Sequence, residues 1–243
     1  MCTVTYIPKG SDSFILTSNR DESPARSPKN VSMIGQKGVL LAFPRDAKAG
    51  GTWVAISGDN RVVCLLNGAF EWHRHNPPYK RSRGIMVLDF FTFSNANVFF
   101  DTYDFEGMEP FTMIIYDRDD LFEFRWDGNQ KYVKLLDRNA KYIWSSSTLY
   151  TNEVKAKRRQ WFQQWQDKNE APNLEAIMHF HRNAGDGDPY NDVIMNRDGR
   201  VQTVSITNIV KEPHQVEMLY HDLLNTQLKR AKIKIQGEVV ESR

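Results

Sequence analysis

The second residue of this chain is a cysteine, and a block of four polar residues follows at Asn19–Glu22. If Met1 is removed, Cys2 carries both a thiol nucleophile and a free α-amine, which are the two parts of a self-contained hydrolytic centre. The ordinary pKa of an α-amine is about 7.7–8.0, so part of it is unprotonated near neutral pH and can act as a base. A cysteine here is also typical of a buried edge strand, because free cysteines are among the most buried residues. Cys2 alone leaves both interpretations open.

A short hairpin is predicted to bring the polar block beside Cys2. Strands are expected over Thr3–Ile7 and Phe14–Thr17, and a polar loop joins them. Each strand residue advances by about 3.3 Å, so a return strand of similar length ends beside the start of the first. The guanidinium of Arg20 would favour a thiolate, and the carboxylate of Asp21 would orient the amine or a substrate nitrogen. A surface loop with salt bridges explains the same residues equally well until another site element is found.

Asn67 is that further element. It follows a predicted strand over Val62–Leu66 and precedes Gly68. An asparagine amide at a strand end can donate a hydrogen bond to a developing oxyanion, and loss of such a donor typically costs about 10²–10³ in rate. An asparagine before a glycine is also a common turn residue, so its position relative to Cys2 and Arg20 decides between the two roles.

The remaining elements define the fold class. Two pairs of helices separate three groups of strands, and the basic run Lys155–Arg159 is interpreted as the solvated face of the third helix. The helices are expected over Gly84–Phe93, Asn95–Tyr103, Thr151–Asp167 and Leu174–Arg182, with Thr151 and Asn173 as caps, and further strands over Val39–Phe43, Thr52–Ser57, Phe111–Tyr116, Leu121–Trp126, Tyr132–Leu135, Tyr142–Ser145, Asp192–Asn196, Val201–Ile206 and Val216–Tyr220. This order is typical of two mainly antiparallel sheets covered by helices, so we predict an α+β fold, a four-layer αββα sandwich. No linker divides residues 1–243, and a single domain is expected.

Composition excludes several classes of function. The 32 basic and 30 acidic residues give a net charge of +2, which directs the chain neither to nucleic acid nor to an anionic membrane. No apolar run approaches the roughly 20 residues of a membrane span, and the start lacks the pattern of a secretory signal, so a cytoplasmic protein is expected. We expect Cys2 and Cys64 to be reduced, because a disulfide between them would consume the nucleophile.

Four features together resemble the NRDE family, also called the transport and Golgi organization 2 family. They are Met1-Cys2-Thr3, the tetrapeptide Asn19–Glu22 that names the family, the sequence Gly50–Trp53, and Asn67. The resemblance is strong over residues 1–70 and continues weakly through residues 144–149 and 203–205. It implies an amino-terminal-nucleophile hydrolase fold, consistent with the predicted order of elements.

A more distant resemblance, to conjugated bile acid hydrolases and penicillin V acylases, implies roles for individual residues. Cys2, Arg20 and Asp21 match the processed cysteine, arginine and aspartate of those enzymes, and Asn67 matches their oxyanion donor. Two positions differ. Ser146 stands where relatives carry asparagine, and Val204 stands where they carry arginine. A serine can still donate a hydrogen bond, but a valine cannot replace a guanidinium, for which Arg197 and Arg200 are the candidates nearest in sequence.

The resemblance and the residues together predict a cysteine hydrolase of the non-peptide C–N bond in a linear, small-molecule amide, with no cofactor and no metal. Cys2 is expected to attack the acyl carbon while its α-amine acts as base, and Asn67 with Ser146 to bind the oxyanion. Arg20 and Asp21 are expected to position Cys2 and the substrate. Asn19, Trp53 and Ser146 are the predicted substrate-binding residues.

The same family resemblance allows a second interpretation, a protein without turnover that binds or transports haem or organises the secretory pathway. His73 and His75 lie in a predicted loop, and imidazole can ligate haem iron. Loop histidines are more often residues of a loop or of the rim of a site than haem ligands, and that interpretation of His73 and His75 is favoured. A haem titration followed at the Soret band separates the two classes of function.

Overall fold

A computed structural model describes residues 3–10 and 12–236, so Cys2, the predicted nucleophile, lies outside the described residues. The described strands are β1 Thr3–Pro8, β2 Phe14–Glu22, β3 Val31–Gln36, β4 Val39–Pro44, β5 Val54–Ser57, β6 Arg61–Asn67, β7 Phe111–Asp117, β8 Asp120–Trp126, β9 Lys131–Leu136, β10 Tyr142–Ser145, β11 Asn196–Arg197, β12 Val201–Glu212, β13 Gln215–Asp222 and β14 Gln227–Lys234. The described α-helices are α1 Arg83–Phe90, α2 Ala96–Thr102, α3 Asn152–Lys168 and α4 Leu174–Asn183, and a short 3-10 helix covers Pro24–Arg26.

The strands form two antiparallel sheets. The first has the order β10-β1-β2-β12-β13-β14, with β11 paired to β12. The second follows chain order from β3 to β9. The first sheet therefore joins the start of the chain to segments far along it, and β2 lies between β1 and β12.

Two apolar cores hold these layers together. The inner faces of both sheets share the larger core with α1 and α2, for example through Leu16, Tyr220 and Phe90. The smaller core lies on the other face of the first sheet, where Ile15 packs with Phe162 and Phe180 of α3 and α4. The layers are therefore α3/α4, the first sheet, the second sheet and α1/α2, which confirms the predicted αββα sandwich. No helix among the described residues is both long and apolar enough to cross a membrane.

Three helices begin at side-chain caps, as their sequences require. Asn95, Thr151 and Asn173 each accept a hydrogen bond from the backbone N–H three residues later. Such a cap satisfies one of the amide groups that lack a partner at a helix start. The predicted caps Thr151 and Asn173 are thus confirmed.

The predicted boundary of β2 is wrong in the region that matters most. The Asn19–Glu22 block was expected to follow the strand as a loop, but β2 continues to Glu22. A run of polar residues is typical of a loop when its side chains are hydrogen-bonded to water. Here Asn19, Arg20 and Asp21 are instead buried between β1 and β12, and they have partners inside the protein. Other strand predictions also differ, since β12 was expected to end at Ile206 but continues to Glu212. β3 was not predicted, and the strand expected over Asp192–Asn196 is reduced to the short β11.

Candidate active site

The register of β1 fixes which residues surround the start of the chain. Thr3 lies opposite Asn19 of β2 on one side and opposite Ser145 of β10 on the other. Side chains alternate across a strand, and accordingly the side chain of Arg20 contacts residues of the second sheet, whereas Asp21 contacts residues on the helix side. The two charged residues that were predicted as a pair therefore lie on opposite faces of the first sheet.

A cavity of about 470 Å³ lies between the sheets at the end of β2. Three of the predicted site residues line it, namely Arg20, Trp53 and Asn67. Asn19, Asp21 and Ser146 do not line this cavity. The structure thus brings together part of the predicted site.

Arg20 is held rigidly at the wall of this cavity. Its guanidinium forms a buried ion pair with Asp46 and donates a hydrogen bond to the carbonyl of Arg26 at 2.8 Å. It also lies over the ring of Trp53, with Cζ 4.0 Å from the ring centroid, a favourable cation–π geometry. Burial lowers the pKa of Arg20, and Asp46 opposes that shift.

Asp46 is a site residue that the sequence analysis did not find. It begins the tight turn between β4 and β5, where its Oδ1 accepts hydrogen bonds from the backbone N–H of Lys48 (3.0 Å) and Ala49 (2.8 Å). Burial alone would raise the pKa of Asp46, but the N–H of Ala49 and the guanidinium of Arg20 outweigh burial and lower it. Asp46 is therefore the fixed counter-charge of Arg20. The sequence did carry a signal for Asp46, because an aspartate in a turn commonly accepts a hydrogen bond from the backbone N–H two residues later, here that of Lys48.

Asn67 ends β6 and lines the cavity. Among the described residues, its side-chain amide has no hydrogen-bond partner, while its backbone carbonyl accepts hydrogen bonds from Ser146 Oγ at 2.8 Å and Ser147 N at 3.1 Å. The indole N–H of Trp53 is also buried without a partner in the described part of the chain. A buried donor such as the Trp53 N–H is costly unless something binds it, and the half-buried Asn67 amide lines the same cavity, so this cavity is suited to a polar ligand.

Ser146 is hydrogen-bonded to the backbone of Asn67. Its hydroxyl donates to the Asn67 carbonyl and lies 3.2 Å from Thr148 Oγ1. This contact fixes the backbone at the end of β6. A direct role of Ser146 in binding an oxyanion or substrate stays a prediction.

Asp21 and Asn19 belong to a buried polar layer on the helix side of the sheet. Asp21 accepts hydrogen bonds from Tyr150 Oη at 2.7 Å and Thr203 Oγ1 at 2.5 Å. Asn19 donates to the carbonyls of His181 (3.1 Å) and Val193 (2.8 Å). Both side chains therefore have structural partners, and their catalytic and substrate roles stay predictions.

His181 completes this layer as a neutral imidazole. Burial, reinforced by the charge of Arg158, lowers the pKa of His181 to about 3. Its Nδ1 lies 2.6 Å from Asn19 Oδ1 and its Nε2 lies 2.8 Å from Thr5 Oγ1. Because an amide oxygen only accepts, Nδ1 carries the proton and Nε2 accepts from the threonine hydroxyl.

Arg158 contradicts the prediction of a solvated face at Lys155–Arg159. Its side chain is fully buried. The guanidinium donates to Thr3 Oγ1 and to the carbonyls of Asn191 (3.0 Å) and Asp192 (2.7 Å). The sequence signal for this burial was helical spacing, because Arg158 lies four residues from both Val154 and Phe162 on the apolar stripe of α3.

Val204 lies at an irregularity of β12. Thr203 is opposite Asp21 and Ser205 is opposite Arg20, so Val204 is the extra residue of a β-bulge, where it is fully buried. Of the two arginines considered as substitutes for a guanidinium here, Arg197 reaches the region, with Cζ 5.5 Å from the ring centroid of Tyr150. Arg200 is exposed.

The sequence profile described as Transport and Golgi organisation 2 matches residues 1–177 of the chain. The chain belongs to this family. The match includes Arg20, Asp46, Trp53 and Asn67, the residues that the structure places at the cavity. No curated protein matches the sequence of this family member.

Solved structures of amidohydrolases share the fold of this family member. A Caenorhabditis elegans ortholog of N-acylethanolamine-hydrolyzing acid amidase is similar with a TM-score of 0.58 and 12% sequence identity, over 86% of this chain and 92% of that one. Two variants of the conjugated bile acid hydrolase from Clostridium perfringens are similar with TM-scores of 0.59 and 0.58 and identities of 10% and 9%, over 100% and 98% of this chain and 99% and 97% of theirs. At these identities the likeness shows the fold alone, which is the amino-terminal-nucleophile hydrolase fold.

The rim of the cavity carries a carboxylate shared by three cationic or imidazole groups. Glu109 Oε1 lies 3.2 Å from His73 Nε2 and 3.4 Å from His75 Nδ1, and Glu109 Oε2 lies 2.9 Å from an amino nitrogen of Arg83. The two histidines were predicted as loop or rim residues or as haem ligands. The structure places His75 and Glu109 on the cavity lining.

Cys64 is a free thiol in the core of β6. Its side chain is fully buried, and burial raises the pKa of Cys64 to about 12. A thiol of this kind is unreactive near neutral pH, because the thiolate is the nucleophile.

Proposed function

We propose that this protein is a cysteine hydrolase that cleaves the C–N bond of a small, linear amide. The observation that carries the proposal is that the side-chain amide of Asn67, which has no hydrogen-bond partner among the described residues, lines the same cavity as the ion-paired Arg20. One is a free donor for an oxyanion, and the other is a fixed positive charge. Arg20 follows Asn19, which pairs with Thr3 at the start of β1, and Asn67 is bonded to Ser146, which follows the other partner of Thr3, Ser145.

Covalent geometry supports Cys2 as the nucleophile of this site. Cys2 is bonded to Thr3, so their α-carbons are about 3.8 Å apart. Val4 and Tyr6 of β1 contribute to the core between the sheets, whereas Thr3 and Thr5 contact α3 and α4. Extending this alternation by one residue would direct the thiol of Cys2 towards the side of Arg20 and Asn67.

The chemistry divides into two balanced steps. In the first, the Cys2 sulfur attacks the acyl carbon, the α-amine takes the thiol proton, and the amide of Asn67 donates to the oxyanion. Collapse of that intermediate breaks the C–N bond, and the proton passes to the leaving amine. In the second step, water attacks the thioester, its proton returns through the α-amine, and the carboxylic acid leaves as the thiol is restored.

The test is hydrolysis of a panel of N-acyl amides by protein whose intact mass lacks Met1. Cys2→Ala should abolish turnover, and Asn67→Ala should lower kcat by about 10²–10³. Asn129→Ala is the matched control, because Asn129 is exposed in a turn, and it should leave kcat unchanged. Turnover that survives Cys2→Ala, or full activity with Met1 retained, contradicts the proposal.

Haem binding is the second candidate function, and the placement of His75 at the cavity favours it. Both His73 and His75 contact Glu109, so haem iron would have to displace that carboxylate from the liganding imidazole. A Soret titration compares wild type with His73→Ala and His75→Ala, using exposed His179→Ala as the control. Stoichiometric binding lost only in the first two variants supports a haem carrier, and no saturable binding excludes it.

A further inference from the structure

A second cavity, of about 190 Å³, lies between the first turns of α3 and the ends of β8 and β10. Three cationic side chains line it, Arg125 of β8 and Lys155 and Arg159 of α3, and no acidic side chain of the described residues does. None of its described lining residues belongs to the cavity of the candidate active site. The basic run of α3 that was expected to face solvent therefore supplies two charges to a cavity.

The backbone that follows β6 holds two of these cations side by side. Arg125 Nη1 donates to the carbonyl of Ala69, and Lys155 Nζ donates to the carbonyl of Phe70 at 2.9 Å. Adjacent residues have α-carbons about 3.8 Å apart, so the two positive groups are bound to neighbouring peptide carbonyls. Lys155 Nζ also lies 3.5 Å from Ser147 Oγ, on the lining of the cavity. These neutral contacts hold both charges at one place.

The third cation, Arg159, lies one helical turn after Lys155 on the same face of α3. Residues spaced i and i+4 on a helix have β-carbons about 5–6 Å apart, and like charges at this spacing are destabilising. Burial lowers the pKa of Lys155, and the charges of Arg125 and Arg159 lower it further. Glu71, on an adjoining cavity, opposes this shift with a weaker attraction. The three cations therefore repel one another around the cavity.

The carboxylate beside this cavity balances one of the three charges. Glu123 Oε1 accepts a hydrogen bond from Arg125 Nε at 2.9 Å, and its Oε2 accepts from the indole N–H of Trp144 at 2.6 Å. In the part of the chain that the structure describes, neither Lys155 nor Arg159 forms an ion pair. Two positive charges on the lining are thus left for a ligand to balance.

We propose that this cavity is a binding site for the phosphate group of a small molecule. A phosphate group carries about −1.5 to −2 charges at pH 7, which matches two cations, whereas a carboxylate would balance one. Its three acceptor oxygens suit the charged donors of Lys155 and Arg159. The hydroxyl of Ser145 and the amide of Asn152 line the same cavity and can donate as well. The proposal does not depend on the function proposed for the candidate active site.

The adjoining cavity, of about 260 Å³, has room for the rest of a phosphate ester. The two cavities share Asn152 and Lys155, and Trp72 lines the adjoining one. The side chain of Trp72 is 70% exposed, so its ring offers an apolar surface beside the phosphate site. Phenyl phosphate adds a planar ring to the same anion. Comparing it with inorganic phosphate therefore distinguishes an ester from the free ion.

The experiment measures the dissociation constants of both probes with the full chain by isothermal titration calorimetry, at pH 7.5 and constant ionic strength. Lys155→Gln should weaken the binding of both by about ten- to a hundredfold, because it removes a charge-assisted hydrogen bond. Arg159→Gln should weaken it in the same direction. Lys157→Gln is the matched control, because Lys157 lies on the same helix but pairs with Asp186 at 2.9 Å and does not line the cavity. Its affinity should equal that of wild type.

Thermal unfolding separates a binding role of Lys155 from a structural one. Phosphate should raise the unfolding temperature of wild type and of Lys157→Gln, and should raise that of Lys155→Gln much less, because a ligand stabilises the state that binds it. A lysine that only supports the carbonyl of Phe70 would lower the unfolding temperature with and without phosphate and leave the affinity unchanged. If Lys155→Gln does not fold by circular dichroism, Arg159→Gln decides, since its side chain is exposed.

The absence of saturable binding of either probe to wild type overturns the inference, and so does an equal affinity in wild type and in the deciding variant. Benzoate, a monoanion of similar shape, should bind at least tenfold more weakly than phenyl phosphate, and equal binding of the two overturns the assignment to phosphate. Tighter binding of phenyl phosphate than of inorganic phosphate supports a phosphate ester as the ligand, and equal binding supports the free ion.

Discussion

At the scale of single residues, strand alternation separates two side chains that are neighbours in sequence. Arg20 contacts Asp46 and Trp53 in the space between the sheets, whereas Asp21 contacts Tyr150 and Thr203 on the helix side. Arg20 therefore acts at the cavity, and Asp21 acts on the layer behind it. The resemblance to known hydrolases names both residues, but only the structure shows that they need different partners.

Removing the Arg20 side chain should destabilise the protein, because Arg26, at 2.9 Å, is then the one counter-charge left to the buried Asp46 carboxylate within the described part of the chain. Breaking a buried pair typically costs about 3–5 kcal/mol, and we expect Arg20→Ala to lower the free energy of unfolding by about 3 kcal/mol in urea titrations. Arg74→Ala, at an exposed loop position, is the control and should change it by less than about 0.5 kcal/mol. A loss under about 1 kcal/mol would show that the Arg20–Asp46 pair is dispensable.

His181 makes the stability of the fold depend on pH in a defined direction. The pKa of His181 is lowered to about 3 in the folded protein from an ordinary value of 6.5, so the unfolded chain binds the proton more readily. The stability that the fold gains from a neutral His181 is fully present above pH 6.5. It is lost as the pH falls towards 3, at up to about 1.4 kcal/mol per pH unit.

The variant His181→Gln should therefore lose less stability than wild type between pH 7 and pH 4, even if it is less stable at pH 7. Urea unfolding at several pH values measures the difference. His179→Gln, exposed on the same helix, should keep the wild-type pH dependence. Equal slopes for wild type and His181→Gln would mean that the imidazole is not neutral in the fold.

At the scale of elements, periodic patterns predicted most of the structure, and buried polar groups caused the errors. The helix pairs and their caps follow from apolar stripes and from Thr151 and Asn173. The end of β2 could not be placed, because residues typical of a loop are paired there with β12, a strand nearly two hundred positions away. Arg158 was misplaced for the same reason, since its charge suggested solvent although its spacing matched the apolar stripe of α3.

The turn before β5 forms one wall of the cavity and tolerates no side chain at Gly51. A Cβ on Gly51 would lie 2.4 Å from the carbonyl carbon of Gly84 at the start of α1. The backbone N–H of Thr52 donates to the Gly84 carbonyl at 3.0 Å, so the two segments cannot separate without losing that bond.

We therefore expect Gly51→Ala to destabilise the protein by more than about 2 kcal/mol, because the clash involves backbone on both sides. Gly35→Ala is the matched control. Gly35 lies within β3, and a Cβ on it would meet nothing within 4 Å. Thermal unfolding of the two variants measures the difference. A Gly51→Ala protein as stable as Gly35→Ala would show that the wall of the cavity is loose.

At the scale of the whole molecule, the candidate site is assembled from both sheets. Arg20 comes from the first sheet, and Asn67 comes from the end of β6 in the second. The sequence identified these two residues through their types and through the family resemblance. It could not identify Asp46 or the contact between Ser146 and Asn67, because each depends on the folding of a loop or strand end against another sheet.

Cys64 provides a comparison for the chemistry proposed for Cys2. Cys64 lies inside the core, and its raised pKa keeps it protonated, so it serves as an internal control for thiol chemistry. Cys2 lies outside the described residues, and it is covalently bonded to Thr3, the first residue of β1. The proposed function therefore depends on Cys2 and on the free α-amine that it carries once Met1 is removed.

The most direct test is intact-mass and peptide-mass measurement after brief treatment of the folded protein with iodoacetamide at neutral pH. The account predicts a chain that lacks Met1 and carries a single adduct, on Cys2, formed faster than on an ordinary peptide thiol, with Cys64 unmodified. Retention of Met1, or a Cys2 that reacts no faster than an ordinary peptide thiol, would contradict it.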